Sequence, residues 1–464
     1  MPTNTLATDI RVRELQPFFT PTKTRVPLKF GGVVVESILF CHVRATVENR
    51  AGKQAQGWGA IPMADNWSWP HCSAGHVAAE QAMKQYVIRW CRQVEDFGEF
   101  AHPIDVFWLL EPEMMEVAKQ VCNTAKIDDR MPRMAALVCA SPVDAALHDA
   151  FGNAADIDVY QGYGADHMRH DLSQWLGADF KGRYISDYLH PMPEWIDAFH
   201  LVGGLDKLTE AEIGNDDPKD GLPVSLDQWI AFEGVHCLKI KLCGNDLNWD
   251  LDRLISVAKV ARQGHAKLGT KEVWYTADTN EMCDSPEYMI ELLEKLREND
   301  RRAFDSLLYV EQPCERDLRR RMLDVHELAA LKPVIVDEAL ASLEDLDLAL
   351  KLGYSGAALK SCKCQSEELV IAAKLTEKGL PLAVQDLTNP GISLVHSVGL
   401  AGRLKTIRGV ESNSRQFLPD ASVLESKVHP GVFRLTQGKI NTSTISGTGL
   451  GYRWDEIGRT FDGV

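Results

Sequence analysis

The sequence predicts an α/β chain built on a TIM-type (β/α) barrel of seven or eight strands, with an α+β capping domain. Two observations carry that reading. Segments 238–242, 275–280, 308–313 and 334–338 each carry charge where a barrel strand should end, and a fifth, 357–360, follows. Their key residues Lys241, Asp278, Glu311, Asp337 and Lys360 stand 37, 33, 26 and 23 positions apart, against roughly 31 per strand–helix unit in such a barrel. The charges also fall at the carboxyl ends of these segments, where barrels of this type keep their chemistry.

The elements can be taken in order. Residues 26–60 read as strands, 33–40 and then 43–47, before a turn at 49–52. Helical periodicity marks 76–94 and again 111–125. Together these form the α+β cap. Residues 183–190 are the expected first barrel strand, 382–387 the seventh, and 411–413 lie at the end of the eighth. In 238–242 alternation places the apolar residues on one face and Lys239 and Lys241 on the other. The outer face of a barrel strand packs on helices, so both lysines point inward. An unpaired buried ammonium costs several kcal/mol, and an edge strand with its lysines in water is the bland alternative. Carboxylates at the matching place on the next three strands argue against it.

Three carboxylates without guanidinium partners suit a hard divalent cation, and Mg2+ is the expected ion. Asp278, Glu311 and Asp337 are its expected ligands. Glu338 rivals Asp337. As the next residue it points off that face, which suits a supporting contact, for instance to a lysine.

The combined motifs resemble the enolase superfamily, in its muconate-lactonizing-enzyme-like branch (the mandelate racemase/muconate lactonizing enzyme family). The carriers are Lys239-x-Lys241, Asp278-x-Asn280, Glu311-Gln312-Pro313, Asp337-Glu338 and Lys360 with Lys363. Residues 141–149 resemble the helix before the family's barrel, and 447–451 its C-terminal return to the cap. The resemblance implies removal of the proton alpha to a carboxylate through a metal-stabilised enediolate, with Lys241 and Lys360 as the acid/base pair. Lys239 is expected to orient the carboxylate. Neighbouring cations are expected to lower the lysines toward working pH. Asn280, Glu338, Lys363 and Asp386 are supporting residues. The mandelate-racemase branch instead has a His after strand seven. None stands in 382–387, and His396 reads as a packing or surface residue of a helix.

Departures bear on the substrate. Asn389 stands where relatives often carry a Glu, and Glu411-Ser412-Asn413 replaces the Asp-x-Asp of dipeptide epimerases. The implied activity is racemisation, epimerisation or cycloisomerisation. A carbon–oxygen lyase of the acid-sugar dehydratase type uses the same residues, and a non-catalytic binding barrel is the reading from another class.

The expected division is a cap over 1–165, a barrel over 166–424 and a C-terminal return over 425–464. Two stretches are candidate lids. Trp67 and Trp69 in 65–71 would either wall the barrel mouth or anchor the loop on the cap. Residues 205–222 would narrow access or form an inert insertion. The formal charge of −16, from 66 acids against 50 bases, argues against nucleic acid or anionic membrane as a partner. A small-molecule carboxylate is the expected partner, and the family resemblance implies a homo-oligomer. Eleven cysteines without paired spacing read as reduced thiols. No signal-like run and no stretch of about 20 apolar residues appears, so a soluble cytoplasmic protein is expected.

Overall fold

The computed structural model describes residues 6–30 and 33–461. The chain opens with a three-stranded antiparallel sheet: β1 (Ile10–Phe30), β2 (Val33–Asn49) and β3 (Gln54–Pro62), in that spatial order. The two short strands expected at 33–40 and 43–47 are one continuous strand. Most of β1 falls outside the expected strand region, and the cause is Pro17, Pro21 and Pro27. Proline cannot donate to a ladder, which argues against a strand except at an edge. β1 is such an edge: its ladder is with β2, and on its other side it has an isolated bridge from Ile10 to Ala101.

Helices His76–Asp96, Pro103–Leu110, Met114–Ala125 and Arg133–Ala155 cover this sheet. Helix Arg133–Ala155 is buried along nearly its whole length, and β3 lies on it without side chains in between. A Cβ at Gly59 would fall 2.0 Å from the Pro142 carbonyl oxygen, and one at Gly57 2.1 Å from the Ala150 nitrogen. Two glycines on one face of a strand thus let its backbone touch the helix.

The barrel consists of β4 (Trp195–Val202), β5 (Cys237–Lys241), β6 (Trp274–Asp278), β7 (Leu307–Glu311), β8 (Val334–Val336), β9 (Gly356–Lys360), β10 (Leu382–Gln385) and β11 (Val410–Glu411). All eight are parallel, and β11 pairs back to β4 to close the ring. β12 (Lys439–Asn441) adds antiparallel to the outside of β4. The expected first strand at 183–190 is instead a 3₁₀ turn, Ile185–Tyr188, within a loop. The strand begins at Trp195, after the run His190-Pro191-Met192-Pro193, whose prolines block a ladder.

The last residues return to the N-terminal sheet. Leu450 N–H donates to Asp149 Oδ1 at 2.7 Å, Trp454 stacks on Trp58 with centroids 3.9 Å apart, and Phe461 stacks on Phe18 at 4.4 Å. Among the described residues no helix is long and apolar enough to cross a membrane, and all eleven cysteines are free thiols.

Candidate active site

The carboxyl ends of the barrel strands open into a cavity whose empty volume, solvent at the mouth included, is about 700 Å³, within the usual size of a small-molecule site. Lys239, Lys241, Asn280, Lys360, Asp386 and Glu411 supply its polar floor. Its roof comes from the N-terminal sheet: Leu28 and Val35, directly paired across the β1–β2 ladder, with Ile38, Met63 and Trp67.

Strand registry sets the levels of the charged groups. Lys241, Asp278 and Glu311 are cross-strand neighbours on β5, β6 and β7. Glu311 pairs with Ile335 on β8, so Asp337 lies two residues further toward the mouth. Asp278, Glu311 and Asp337 are fully buried beneath the cavity, under ammonium groups. Lys239 Nζ lies 2.9 Å from Glu311 Oε1, 3.2 Å from Asp278 Oδ2 and 3.4 Å from Glu411 Oε2. Lys241 Nζ donates to Asp278 Oδ2 at 2.5 Å. Lys360 Nζ donates to Asp337 Oδ2 at 2.7 Å, and Lys363 Nζ reaches Asp337 Oδ1 at 3.2 Å and its carbonyl at 2.8 Å.

The acids outnumber the ammonium groups. Asp278, Glu311, Asp337, Glu338, Asp386 and Glu411 face Lys239, Lys241, Lys360 and Lys363, a formal excess of two negative charges. The consequences differ by position. Burial alone would raise Asp278 and Asp337, but Lys241 with Lys239, and Lys360 with Lys363, hold them below the usual carboxylate range. Burial and the charge of Asp278 push Glu311 well up. Burial and Asp337 push Glu338 to about 7, and burial and Glu411 push Asp386 to about 7.

The same field corrects the expectation that the lysines are depressed. Burial pulls Lys239 and Lys360 down, but Glu311, Glu411 and Asp278 around the first, and Asp337 beside the second, outweigh it and hold both above the ordinary lysine value. Carboxylates, not cations, dominate their surroundings.

The expected metal ligands fit a hard dication in donor type and charge. Every donor is a carboxylate oxygen, the excess with all acids ionised is two negative charges, and two acceptors beside Asp278, Glu338 Oε2 and Asn280 Oδ1, are buried without a hydrogen-bond partner. The three acids are not drawn into one tight cluster. Among the described residues the one His/Cys/Asp/Glu trio with ligand atoms all within 4.8 Å is Asp197, His236 and Cys237, elsewhere in the barrel.

Glu338 meets no lysine. Its Oε1 accepts from Trp67 Nε1 and Asn280 Nδ2, each at 3.2 Å. Trp67 lines the mouth and its ring lies 4.5 Å from Lys360 Nζ, whereas Trp69 is buried in the core away from the cavity. Residues 205–222 contribute nothing to the cavity lining. They clamp its roof instead: Arg25 of β1 pairs with Asp220 at 2.5 and 2.8 Å and donates to the carbonyls of Leu222 and Pro223. His396 is a buried packing residue bonded to Gln365, and burial lowers it to about 3. Asn389 bridges Ser361 and Ser397 outside the cavity.

Sequence reasoning gave no role to Gln385, whose Nε2 donates to Glu311 Oε2 at 2.5 Å. It also took Glu411 only as a departure, although Glu411 accepts from Lys239 and from Asn413 at 2.7 Å. The available signal was a polar residue ending each of the last two strands.

An eight-stranded parallel barrel under a sheet-and-helix cap, with lysines and carboxylates gathered at its mouth, defines an α/β-barrel enzyme. The family described as enolase C-terminal domain-like matches residues 224–457, half of the chain, and the protein belongs to the enolase superfamily. Solved structures share the whole fold. Muconate lactonizing enzyme from Pseudomonas fluorescens aligns over 95% of each chain at TM-score 0.58 and 14% identity. L-Ala-D/L-Glu epimerase from Bacillus subtilis aligns over 95% of this chain and 98% of its own, at 0.59 and 14%. A dipeptide epimerase from Cytophaga hutchinsonii, solved with Mg and the dipeptide D-Ala-L-Val, aligns over 88% and 87%, at 0.54 and 14%. No curated protein matches the sequence.

Proposed function

We propose that the protein is a Mg2+-dependent racemase, epimerase or cycloisomerase that removes the alpha proton of a small carboxylate. The observation that carries this is the placing of two lysines. Lys241 ends β5 and Lys360 ends β9, four strands apart in a ring of eight, so they face each other across one cavity. A substrate held between them presents one face to each amine.

Asp278, Glu311 and Asp337, on the strands between, would hold the ion. When bound, Mg2+ supplies positive charge to the substrate carboxylate as the alpha proton leaves. Either Lys241 or Lys360 takes the proton at Cα, and the other returns one to the opposite face. The lysine that takes the proton must first be neutral, and the one that returns a proton must be an ammonium group. A cation that engaged Asp337 would remove part of the field that holds Lys360 charged. Lys239, bridging Glu311, Asp278 and Glu411, fixes the level of the carboxylates. Trp67 covers Lys360 and excludes water from that side.

The roof narrows the substrate class. Leu28, Val35, Ile38, Leu201 and Leu387 form an apolar wall, and no arginine lines the cavity among the described residues. A monocarboxylate with an apolar substituent fits better than a second carboxylate. N-acylated amino acids and lactone-forming acids belong to that class.

The test is incubation of such acids, with hydroxy acids and acid sugars as comparison, in deuterated water with Mg2+. Recovered substrate or its isomer should carry deuterium at Cα. Lys241→Met and Lys360→Met should each lower turnover by about 10²–10⁴-fold with Mg2+ binding retained. Full activity in both variants would overturn the assignment, and a dehydrated keto acid as the product would make the protein a lyase.

A further inference from the structure

The opposite end of the barrel holds a second cluster. Asp197 lies on β4, Cys237 opens β5, and His236 precedes it; Cys237 pairs in register with Phe199, so the three residues sit together at the amino ends of two adjacent strands. One ligand atom from each lies within 4.8 Å of the other two.

The imidazole of His236 gives the site its direction. Its Nδ1 lies 3.3 Å from the Gly234 carbonyl oxygen and its Nε2 3.2 Å from Asp197 Oδ1. Both neighbours are acceptors only. A neutral ring can donate to one of them, which leaves a lone pair facing an oxygen at the other. Asp197 also takes Arg408 at 3.2 Å and Lys439 at 3.8 Å. A metal ion on Nε2 resolves the mismatch at the ring with the Nδ1 proton kept on the carbonyl, the usual arrangement of a ligating histidine. Gly438 leaves room for the ring, since a Cβ there would fall 2.2 Å from Nδ1.

We propose that Asp197, His236 and Cys237 form a second metal site, for a divalent ion of the zinc class, at the floor of the barrel. Thiolate, imidazole and carboxylate are the donor mixture such an ion takes, and three protein ligands leave a fourth position for water. The side chains of Asp197 and His236 are 16% and 11% exposed, which provides entry. A dication balances Asp197 and the Cys237 thiolate, leaving Arg408 to Glu272 at 3.3 Å. Burial, with Asp197 beside it, pushes the Cys237 thiol up to about 12, so binding releases a proton and tightens as pH rises. The ion would staple β4 to β5 next to the seam where β4 meets β11 and β12.

The test uses the full chain, stripped by chelator and kept in excess Mg2+, titrated with Co2+ and then Zn2+. One equivalent of Co2+ should give a thiolate-to-cobalt charge-transfer band that Zn2+ abolishes. The band should vanish in Cys237→Ser, weaken in Co2+ affinity by at least about tenfold in His236→Gln, and persist in Asp278→Asn. Absence of the band in the unmodified protein, or its persistence in Cys237→Ser, overturns the site. Should Cys237→Ser fail to fold, an unchanged affinity in His236→Gln does so. Because Asp278→Asn disables only the mouth, failure of this site and failure of the proposed chemistry read out separately.

Discussion

Arg415 lies just beyond Glu411 and Asn413, and its buried ion pair holds that wall of the cavity in place. Arg415 pairs with Glu233, with the two side chains 3% and 2% exposed. Arg415 also donates to the Ser412 carbonyl at 3.2 Å, and Glu233 Oε1 accepts from Leu435 N–H at 3.1 Å. Arg415→Leu removes the cation and leaves a buried carboxylate with one backbone donor. That carboxylate must stay charged, which costs several kcal/mol, or take a proton from solution. For a carboxyl of ordinary acidity near 4.3, protonation costs about 5 kcal/mol at pH 8 and about 2 kcal/mol at pH 6. The cheaper route sets the loss, so the deficit should be about 3–5 kcal/mol at pH 8 and shrink toward about 2 kcal/mol at pH 6.

The sign follows from linkage. A carboxyl that is harder to ionise in the folded state binds more protons there than when unfolded, so stability falls as pH rises. Urea unfolding of the full chain, followed by tryptophan fluorescence at several pH values, measures the difference from the unmodified protein. Arg415→Leu combined with Glu233→Leu should be more stable than Arg415→Leu alone, since no uncompensated charge remains. A deficit independent of pH between 6 and 8, or a double variant as unstable as the single one, would refute the reasoning.

Two further outcomes are expected. Gly59→Ala places a methyl 2.0 Å from the Pro142 carbonyl oxygen and should lower stability by at least about 1–3 kcal/mol, seen as a lower thermal midpoint. Glu311→Gln removes one of the three carboxylates assigned to the ion and should weaken Mg2+ binding by about tenfold or more by calorimetry, with the fold retained because Lys239 keeps Glu411 and Asp278.

Much of the barrel is legible in the sequence because its strands are short, buried and end in charge. The segments from 238 to 360 become β5 to β9 with ends shifted by a residue or two. The first strand is not legible in the same way. Residues 183–190 hold two apolar pairs, Tyr184-Ile185 and Tyr188-Leu189, but Ile185–Tyr188 closes as a 3₁₀ turn, and the true strand starts only after the prolines. β1 hides for the converse reason, since its prolines argue against a strand that its edge position tolerates. The roof is hidden as well, because the sequence does not show the registry that sets Leu28 opposite Val35 at the cavity. The balance of charge at the mouth also depends on distance. Spacing places the lysines near acids but does not show that six carboxyls crowd four ammonium groups, which reverses the expected direction for Lys239 and Lys360.

Closure of the ring converts a sequence order into a reaction geometry. Along the chain the order Lys241, Asp278, Glu311, Asp337, Lys360 is a row of strand ends, equally compatible with an open sheet in which the two lysines lie at the far edges. The pairing of β11 with β4 bends that row into a circle of eight. Five consecutive strands of an eight-membered circle span half its circumference, so the first and last face each other and the three acids line the arc between. The other half is completed by Gln385, Glu411 and Asn413, which hold Glu311 and Lys239 from behind. Two short pairings of β11, Val410 to Ala198 and Glu411 to Phe199, therefore decide whether the amines oppose each other. The Arg415–Glu233 pair directly follows that seam, and its loss should disturb the cavity before it disturbs the rest of the barrel.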